Sequence, residues 1–304
     1  MQNWTKQDIP NLSDKVFVVT GANSGIGYQT SLALAEKGAS VVMACRDLER
    51  SQSAFDTIKK SAPEAELMLM ALDLGSLKSI ENFANEFKAK FARLDALINN
   101  AGPVLAARTL TEDGFESHFG AGHLGHFALT AQLLDTLLAT PGSRVVTVGS
   151  RMHANGKINW DDLMGEAAYD RTKAYTAGKL ANMLFALELS RKLDAAGSDT
   201  KSVAAHPGLA KTNWASNLGG VMKIMANLMS SLAYQSAEMG ALSVLYAALS
   251  EDAKNGGYYG PENDQKGYPM ETTPADSALN EADAARLWTL SEDLTGVKFA
   301  ALGR

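Results

Sequence analysis

Residues 15–27 read KVFVVTGANSGIG, and this stretch decides the fold. Lys15–Thr20 is an apolar run of strand length, and glycines follow it at Gly21, Gly25 and Gly27. Glycine permits a tight turn and lets backbone N–H groups approach a phosphate closely. The segment from Gly25 onward has helical spacing, so its positive N-terminal end would face the same anion. The pattern predicts a strand, a dinucleotide-binding turn and a helix, although an empty strand-to-helix turn has the same spacing.

Apolar strands and amphipathic helices continue to alternate through most of the chain. Such alternation predicts a doubly wound parallel sheet with helices on both faces. We therefore predict one α/β domain over 1–304 with about seven strands, a core over about 14–260 and a helical tail over about 261–304. The predicted strands are Lys15–Thr20, Val41–Ala44, Leu67–Leu72, Leu94–Asn99, Arg144–Val148, one ending at His206 and one near Tyr258–Tyr259. The predicted helices are Gly25–Lys37, Leu48–Lys60, Leu77–Phe91, Glu112–Leu138, Tyr169–Leu193 and Ala237–Leu249.

The composition excludes several classes of protein. Hydrophobic residues make up 46% and charged residues 20% of the 304 residues, which is typical of globular proteins and not of collagen-like or disordered chains. The net charge of −6 argues against a nucleic-acid partner. Cys45 is the single cysteine, which favours a reducing compartment. With no signal-peptide pattern and no apolar stretch of membrane-spanning length, we expect a cytoplasmic protein without a membrane span. A homo-oligomer is compatible with all of this.

The end of the second predicted strand bears on the choice of dinucleotide. A carboxylate at this place suits the ribose of NAD, whereas a cation suits the 2′-phosphate of NADP. Arg46 follows Gly27 by nineteen residues, close to the spacing at which such a residue is expected. The neighbouring Asp47 either addresses a ribose hydroxyl or caps the helix that begins at Leu48. The position of Arg46 favours NADP, and NAD stays open.

Tyr175 and Lys179 form a candidate acid–base pair. They are four residues apart in a predicted helix and therefore share one face. A lysine ammonium beside a phenol lowers the tyrosine pKa from about 10, which suits general acid–base catalysis near neutral pH. The alternative is a surface lysine beside a half-buried tyrosine.

Five groups of residues stand in an order that resembles the short-chain dehydrogenase/reductase family. They are Thr20–Gly27, Asn99–Gly102, Ser150, the Tyr175/Lys179 pair and His206–Gly208. A narrower likeness, to the retinol-dehydrogenase and protochlorophyllide-reductase-like branch, extends over nearly the whole chain. The residues that carry it are Ala44–Asp47, His123–Phe127, Lys179–Asn182, Glu188–Arg191 and Tyr258–Pro261.

The resemblance implies a Rossmann fold and an NADP-linked interconversion of a carbonyl and an alcohol on a hydrophobic small molecule. In that scheme Tyr175 exchanges a proton with the substrate oxygen and Ser150 hydrogen-bonds that oxygen. Lys179 binds the nicotinamide ribose and keeps the tyrosine pKa low. The cofactor-binding residues implied by the resemblance are Gly21, Asn23, Ser24, Gly25, Ile26, Gly27, Arg46, Asp73, Leu74, Asn100, Ala101, Gly102, Tyr175, Lys179, Pro207, Gly208 and Thr212.

Gly122 departs from the family pattern, which places an asparagine there to help hold a water between the lysine and solvent. Three explanations are open: a second water fills the gap, redox turnover is lost while cofactor binding is kept, or the space admits part of the substrate. The second explanation makes the protein an NADP-binding sensor or partner-binding protein. Non-redox chemistry such as dehydration or epimerisation is a third reading. Smaller departures at Gly149, Gly178 and Pro103-Val104 put the substrate class in doubt.

On the substrate side the family places a lid, here about 209–235. Its leucines and methionines fall at helical spacing, as expected either for a lid over a bulky apolar substrate or for an ordinary helix core or subunit interface. His123 and His126 are spaced as a metal pair, but no third ligand is evident, so we expect helix packing and no metal. The candidate substrate contacts are Ser150, Met152, His153 and Trp214.

Overall fold

A predominantly parallel sheet forms the centre of the computed structural model, which describes residues 3–104, 106–209 and 234–303. The strands are β1 Val16–Thr20, β2 Ser40–Cys45, β3 Leu67–Ala71, β4 Ala96–Asn99, β5 Arg144–Val148, β6 Lys201–Ala205, β7 Tyr258–Pro261 and β8 Pro269–Glu271. The helices are α1 Gly25–Glu36, α2 Leu48–Ser61, α3 Leu77–Lys90, α4 Ser117–Phe119, α5 Gly125–Leu138, α6 Arg171–Ala195, α7 Ala237–Leu249 and α8 Glu281–Thr295. Short 3₁₀ turns lie at Lys6–Asp8, Arg151–Asn155, Asp276–Ala278 and Ala300–Leu302.

The strand order is β3-β2-β1-β4-β5-β6-β7-β8, and all pairs are parallel except β7 with β8. Val18 in β1 lies opposite Val42 in β2 and opposite Leu97 in β4. The winding reverses between β1 and β4, so the loops that leave these strands separate and open a crevice at their carboxyl ends. Ligands of open α/β sheets bind at this kind of switch point.

Two apolar layers cover the two faces of the sheet. Successive residues of β1 point to opposite faces, so Phe17 packs with α1, α2 and α7, while Val18 packs with α3, α5 and α6. All five residues of β1 are buried. A strand buried on both faces reads as a continuous apolar run, which is why the sequence reveals it so clearly. The predicted fold class is confirmed.

The predicted helix Glu112–Leu138 was wrong in its first half. The chain instead forms the single turn α4, then a π-helical turn over Gly120–Leu124, in which Gly125 N–H bonds the carbonyl of Gly120, and only then α5. Glycine weakens a helix interior by about 1 kcal/mol relative to alanine, and two glycines lie within this turn. Gly125 also lies directly against the Leu74 backbone carbonyl, where no side chain fits. The glycines therefore permit the π-helical turn, which shifts the hydrogen-bond register of the helix beside the crevice.

The tail also differs from the predicted purely helical segment. Its first element is β8, a three-residue strand antiparallel to β7, so the described sheet has eight strands rather than about seven. Helix α8 follows; the Asn280 side chain caps its start and Gly296, with φ of 69°, ends it. Most of the predicted lid, 210–233, lies outside the described residues. Within the described ranges, no helix is long and apolar enough to cross a membrane.

Candidate active site

The glycine-rich turn between β1 and α1 forms one wall of the crevice. Gly21 and Gly25 have φ of 65° and 56°, a conformation that L side chains rarely adopt. A Cβ on Gly27 would collide with the carbonyl of Gly21 and the side chain of Asn100, whereas above Gly25 there is open space for 4 Å. Close packing therefore requires a glycine at position 27, whereas the space beside Gly25 is open. An anion such as a pyrophosphate fits at the start of α1.

Thr20 joins the ends of β1 and β4. Its hydroxyl oxygen accepts the backbone N–H groups of Asn100 and Ala101, both at 2.9 Å. The Asn100 side chain returns a bond to the Thr20 carbonyl at 2.8 Å. These bonds hold Asn100–Gly102 as a fixed floor under the crevice. Asn100, Ala101 and Gly102, which the resemblance implies as cofactor-binding residues, thus border the crevice.

At the end of β2, Asp47 and Arg46 have different surroundings. The Asp47 carboxylate accepts the backbone N–H of Arg50 at 3.0 Å and so caps α2. Arg46 is exposed and, among the described residues, has no ion pair. Beside it, burial raises the pKa of the Cys45 thiol, which contacts the backbone of Ala22 and Asn23 in the glycine turn. Arg46 is therefore available to a ligand at the end of β2, whereas Asp47 is already engaged.

Asp73 follows β3 in the next loop. Its carboxylate accepts the N–H of Gly75 at 2.9 Å, and its own N–H bonds the Ser79 hydroxyl at 2.9 Å. Asp73 and Leu74 are both partly buried at the carboxyl side of the sheet. Both residues, which the resemblance implies as cofactor-binding, therefore lie at the edge of the sheet where the crevice opens.

Ser150, Tyr175 and Lys179 come together at the centre of the crevice. Ser150 follows β5, and its hydroxyl caps the turn Arg151–Asn155. Lys179 Nζ donates to the carbonyl of Val148 at 3.0 Å and lies 6.0 Å from the ring centroid of Tyr175. The Ser150 hydroxyl hydrogen-bonds the Tyr175 phenol. Helix α6 and the end of β5 thus bring together three side chains that are separated in the sequence.

The protonation of this group is set mainly by burial. Burial lowers the pKa of Lys179 to about 8. Burial also raises the pKa of Tyr175, and the hydrogen bond from Ser150 offsets this only in part. The spacing of Tyr175 and Lys179 predicts the opposite, namely that the charge of Lys179 lowers the pKa of Tyr175. The reason for the difference is geometric, since the ammonium is bonded to the Val148 carbonyl and desolvation dominates.

The three glycines that depart from the family pattern have different surroundings. A Cβ on Gly122 would meet nothing closer than Pro103 Cδ, at 3.8 Å. On Gly178 it would lie 3.0 Å from the His118 carbonyl oxygen, and on Gly149 3.2 Å from Met183 Sδ. Close packing against a backbone carbonyl therefore explains Gly178, whereas Gly149 meets only the flexible Met183 side chain, and packing does not explain Gly122.

Among the predicted substrate contacts, His153 is corrected by the structure. It is 3% exposed; Nδ1 bonds the Ser150 carbonyl at 2.7 Å and Nε2 accepts the Ala275 N–H at 3.1 Å. With both ring nitrogens occupied, it supports the Ser150 loop from behind and is not free to contact a substrate. Met152 is partly buried on the same turn. Trp214 and the cofactor candidate Thr212 lie outside the described residues.

The remaining candidates lie around the same crevice. Gly208 has φ of 65° and donates to His206 Nδ1, and the Gln235 side chain donates to the Pro207 carbonyl at 2.7 Å. His123 and His126 are buried and bond Ser291 and Thr20. Among the described residues there is no group of three or more side chains that could hold a metal ion.

A buried cluster of Glu116, His118 and Tyr169 was missed by the sequence analysis. The Tyr169 hydroxyl donates to the Glu116 carboxylate at 3.0 Å across 53 residues of sequence. Tyr169 marked only the start of a predicted helix, and Glu116 and His118 read as part of another. No local spacing signals such a contact.

Comparison with known proteins decides the family. The sequence profile described as short chain dehydrogenase matches residues 15–220. Human retinol dehydrogenase 13 is 40% identical over 304 residues, which cover 97% of this chain and 87% of that protein. The chain belongs to the short-chain dehydrogenase/reductase family. It is accordingly an NAD(P)-dependent oxidoreductase that acts on CH–OH groups.

Other members of the family extend the likeness. Mouse polyprenol dehydrogenase is 39% identical, with 95% of this chain and 86% of that protein covered. The crystal structure of an uncharacterized protein from Mycobacterium paratuberculosis is 38% identical, with a TM-score of 0.83 and coverage of 98% and 99%. L-sorbose reductase from Gluconobacter frateurii, complexed with NADPH and L-sorbose, is 20% identical, with a TM-score of 0.67 and coverage of 86% and 98%. The last likeness shows the short-chain dehydrogenase/reductase fold alone.

Proposed function

We propose that this protein is an NADP-dependent oxidoreductase that interconverts a carbonyl and an alcohol on a hydrophobic small molecule, with Tyr175 as the acid and base. The observation that carries the proposal is the convergence of Ser150, Tyr175 and Lys179 at the carboxyl ends of the parallel strands. A hydroxyl, a phenol and an amine thus lie together, beside a turn that suits a pyrophosphate.

The proposed roles follow from the contacts of each side chain. When bound, the nicotinamide cofactor supplies or accepts the hydride. Tyr175 donates a proton to the substrate oxygen during reduction and takes it back during oxidation. The Ser150 hydroxyl beside the phenol turns its single proton from Tyr175 to the substrate oxygen and donates its hydrogen bond there. Lys179 favours the phenolate as Tyr175 loses its proton and binds the nicotinamide ribose.

Several described residues suit an NADP cofactor. The glycine turn Gly21–Gly27, with Asn23, Ser24 and Ile26, would hold the pyrophosphate, and Asn100–Gly102 would line the nicotinamide side. Pro207 and Gly208 would border its far end. Arg46 would bind the 2′-phosphate, because Asp47 is committed to capping α2 and Arg46 has no other charged partner in the described chain.

An apolar substrate is supported from two sides. Relatives that are 39–40% identical are described as retinol and polyprenol dehydrogenases, whose names refer to largely apolar alcohols. Val104 and Leu209, which follow the two loops bordering the crevice, are 42% and 38% exposed. We further propose that 209–235 is a lid on a single-domain core and 261–304 a tail. The buried free thiol of Cys45 supports the proposed cytoplasmic location.

A sensor or partner-binding role with weak turnover is the second candidate. The observation that favours it is Gly122, since a Cβ at this position would clash with no neighbouring atom and packing does not explain the glycine. The intact acid–base pair favours turnover instead.

The test combines coenzyme binding with turnover. Purified protein is titrated with NADPH and NADH by fluorescence, and NADPH absorbance is then followed with all-trans-retinal and a panel of apolar ketones. We expect NADPH binding and consumption, and a loss of at least about 100-fold in kcat for Tyr175→Phe with NADPH binding retained. Tyr246→Phe, in a half-buried site on α7, is the matched control and should keep full activity.

The other outcomes separate the alternatives. Tight NADPH binding without consumption across the panel would favour the sensor. Binding of neither coenzyme would contradict both functions and the interpretation of Gly21–Gly27.

A further inference from the structure

A buried polar cluster lies beside Tyr175 but outside the contacts that the proposed chemistry uses. Glu116 and His118 are each 2% exposed, and Tyr169 is partly buried. His118 Nδ1 lies 2.7 Å from Glu116 Oε1, and the Tyr169 hydroxyl lies 3.0 Å from the same oxygen. Ionisable side chains are rarely buried unless partners satisfy them. The partners of Glu116 are His118, in the adjacent turn, and Tyr169, in a distant segment of the chain.

The hydrogen bonds assign the protons within the cluster. The backbone N–H of Ala106 donates to His118 Nε2 at 3.2 Å, so this nitrogen is an acceptor and the proton of the neutral ring is on Nδ1. His118 Nδ1–H then donates to the Glu116 carboxylate. The other carboxylate oxygen accepts the N–H of Phe119 at 2.9 Å. Glu116 is thus a buried carboxylate that only donors surround.

The cluster ties three segments together at the edge of the crevice. The first is the loop 106–110, bound through Ala106. The second is the turn that contains Glu116 and His118. The third is the segment 156–170, which contributes Tyr169 and Met164. The Met164 carbonyl accepts a hydrogen bond from Arg108 Nε at 3.0 Å, and the Met164 sulfur accepts one from the Glu116 N–H. This segment ends at Asp170, which caps α6.

The cluster also contacts the catalytic helix directly. The His118 ring packs edge-on against the Tyr175 ring, with centroids 6.0 Å apart and planes at 81°. One turn further along α6, Gly178 lies so close to the His118 carbonyl that a Cβ would be 3.0 Å from it. His118 therefore touches α6 at two successive turns, one of which carries the proposed proton donor.

We propose that Glu116, His118 and Tyr169 form a positioning unit, which fixes the angle of the Tyr175 ring and anchors the loop 106–110 beside the reacting atoms. The unit rests on the proposed function, because it acts through Tyr175. The cofactor residues of the glycine turn make none of these contacts. Loss of the unit therefore lowers kcat and leaves NADPH affinity unchanged.

Three variants test the unit with NADPH and all-trans-retinal. Tyr169→Phe removes one hydroxyl and lowers kcat by about 10-fold, while Glu116→Gln removes the central charge and lowers kcat by about 100-fold, the effect expected of a misplacement of about 1 Å. Because the shortest hydrogen bond of the Tyr169 hydroxyl is to this carboxylate, the double variant should be no slower than Glu116→Gln alone. Thermal stability and NADPH affinity are measured on every variant, with Tyr246→Phe as the control.

A readout independent of turnover separates this proposal from the proposed function. Hydrogen exchange of the segment 106–110 should be faster in Glu116→Gln and unchanged in Tyr246→Phe. If the wild-type protein binds NADPH but reduces no carbonyl, the proposed function fails while the exchange still tests the anchor. Unchanged kcat in both single variants, effects that multiply in the double variant, or unchanged exchange at 106–110 would each overturn the positioning unit.

Discussion

At the scale of single residues, Arg46 and Asp47 show how neighbours can divide two tasks. Both are polar, exposed and adjacent to the strand end that would meet the adenine ribose. The carboxylate of Asp47 accepts a backbone N–H in the first turn of α2, and its charge therefore stabilises the N-terminus of that helix. Only the guanidinium of Arg46 is left to face a ligand.

Replacement of Arg46 by alanine should therefore change coenzyme preference. A charge-assisted hydrogen bond contributes about 1.5–3 kcal/mol, so NADPH affinity should fall by roughly 10–100-fold. NADH, which has no 2′-phosphate, should bind as before. Fluorescence titration with both coenzymes measures this, and Arg50→Ala, four residues along on the same surface, is the control. An equal loss for both coenzymes would contradict the assignment.

The sequence predicted much of the site at this scale because its key residues lie in local patterns. The glycine turn and the Tyr175/Lys179 pair are each defined by spacing within one turn and helix. His153 was misplaced, and Glu116 was missed, because their surroundings come from distant segments. Ala275, which bonds His153, is 122 residues away in the sequence. The direction of the Tyr175 pKa was also wrong, since burial depends on the whole crevice.

At the scale of elements, the π-helical turn Gly120–Leu124 matters most for the site. It carries Gly122 past the loop at Gly102, and the two backbones approach closely, with Gly102 facing the Gly122 Cα. The turn also orients His126, whose ring bonds the Gly122 carbonyl and the Thr20 hydroxyl. Periodicity alone does not show such a turn, because the same apolar residues fit an unbroken helix. The strand β8 was missed for a related reason, since three residues are too few to show alternation.

Gly122→Asn should be accommodated and should raise kcat several-fold if the missing side chain limits proton transfer. Its Cβ would make only an ordinary van der Waals contact, with Pro103 Cδ at 3.8 Å, so the thermal midpoint should move by no more than a few degrees. Gly178→Asn is the matched contrast: its Cβ would press on the His118 carbonyl, and it should destabilise the protein by about 1–3 kcal/mol. Steady-state kinetics and thermal melts measure both. An unchanged rate for Gly122→Asn would mean that proton transfer does not limit turnover.

At the scale of the whole molecule, the tail completes the core. Trp288 in α8 and Phe299 beyond it pack at 5.2 Å and 4.9 Å, between ring centroids, from Phe127 in α5. Phe185 in α6 joins the same aromatic cluster. The tail therefore covers the outer faces of α5 and α6, the second of which carries Tyr175 and Lys179.

Trp288→Ala should lower the free energy of unfolding by about 3–5 kcal/mol, because it leaves a cavity among the rings of Phe127, Phe185 and Phe299. Urea denaturation followed by circular dichroism measures the change. Trp4→Ala is the contrast, since Trp4 is only partly buried and has one aromatic neighbour, Tyr246. Equal losses for the two variants would contradict the role given to the tail.

The buried histidines make the whole fold sensitive to acid. Burial lowers the pKa of His123 to about 3 and the pKa values of His126 and His206 to about 4. Below pH 6.5 the unfolded chain binds protons at these sites that the folded chain does not, so stability falls as pH falls. The loss at pH 5 is at most about 2 kcal/mol for each histidine. Urea midpoints at pH 7 and pH 5 test this, and midpoints that coincide would contradict it.

The bond between His123 and Ser291 joins residues 168 positions apart. A ribosome that adds about 5–20 residues per second needs roughly ten to thirty seconds to make that much chain. During this interval the nascent α5 has no α8 to cover it, and its apolar surface is open to other chains. Chaperones that hold such surfaces should therefore determine how much of this protein reaches its native state in the cell.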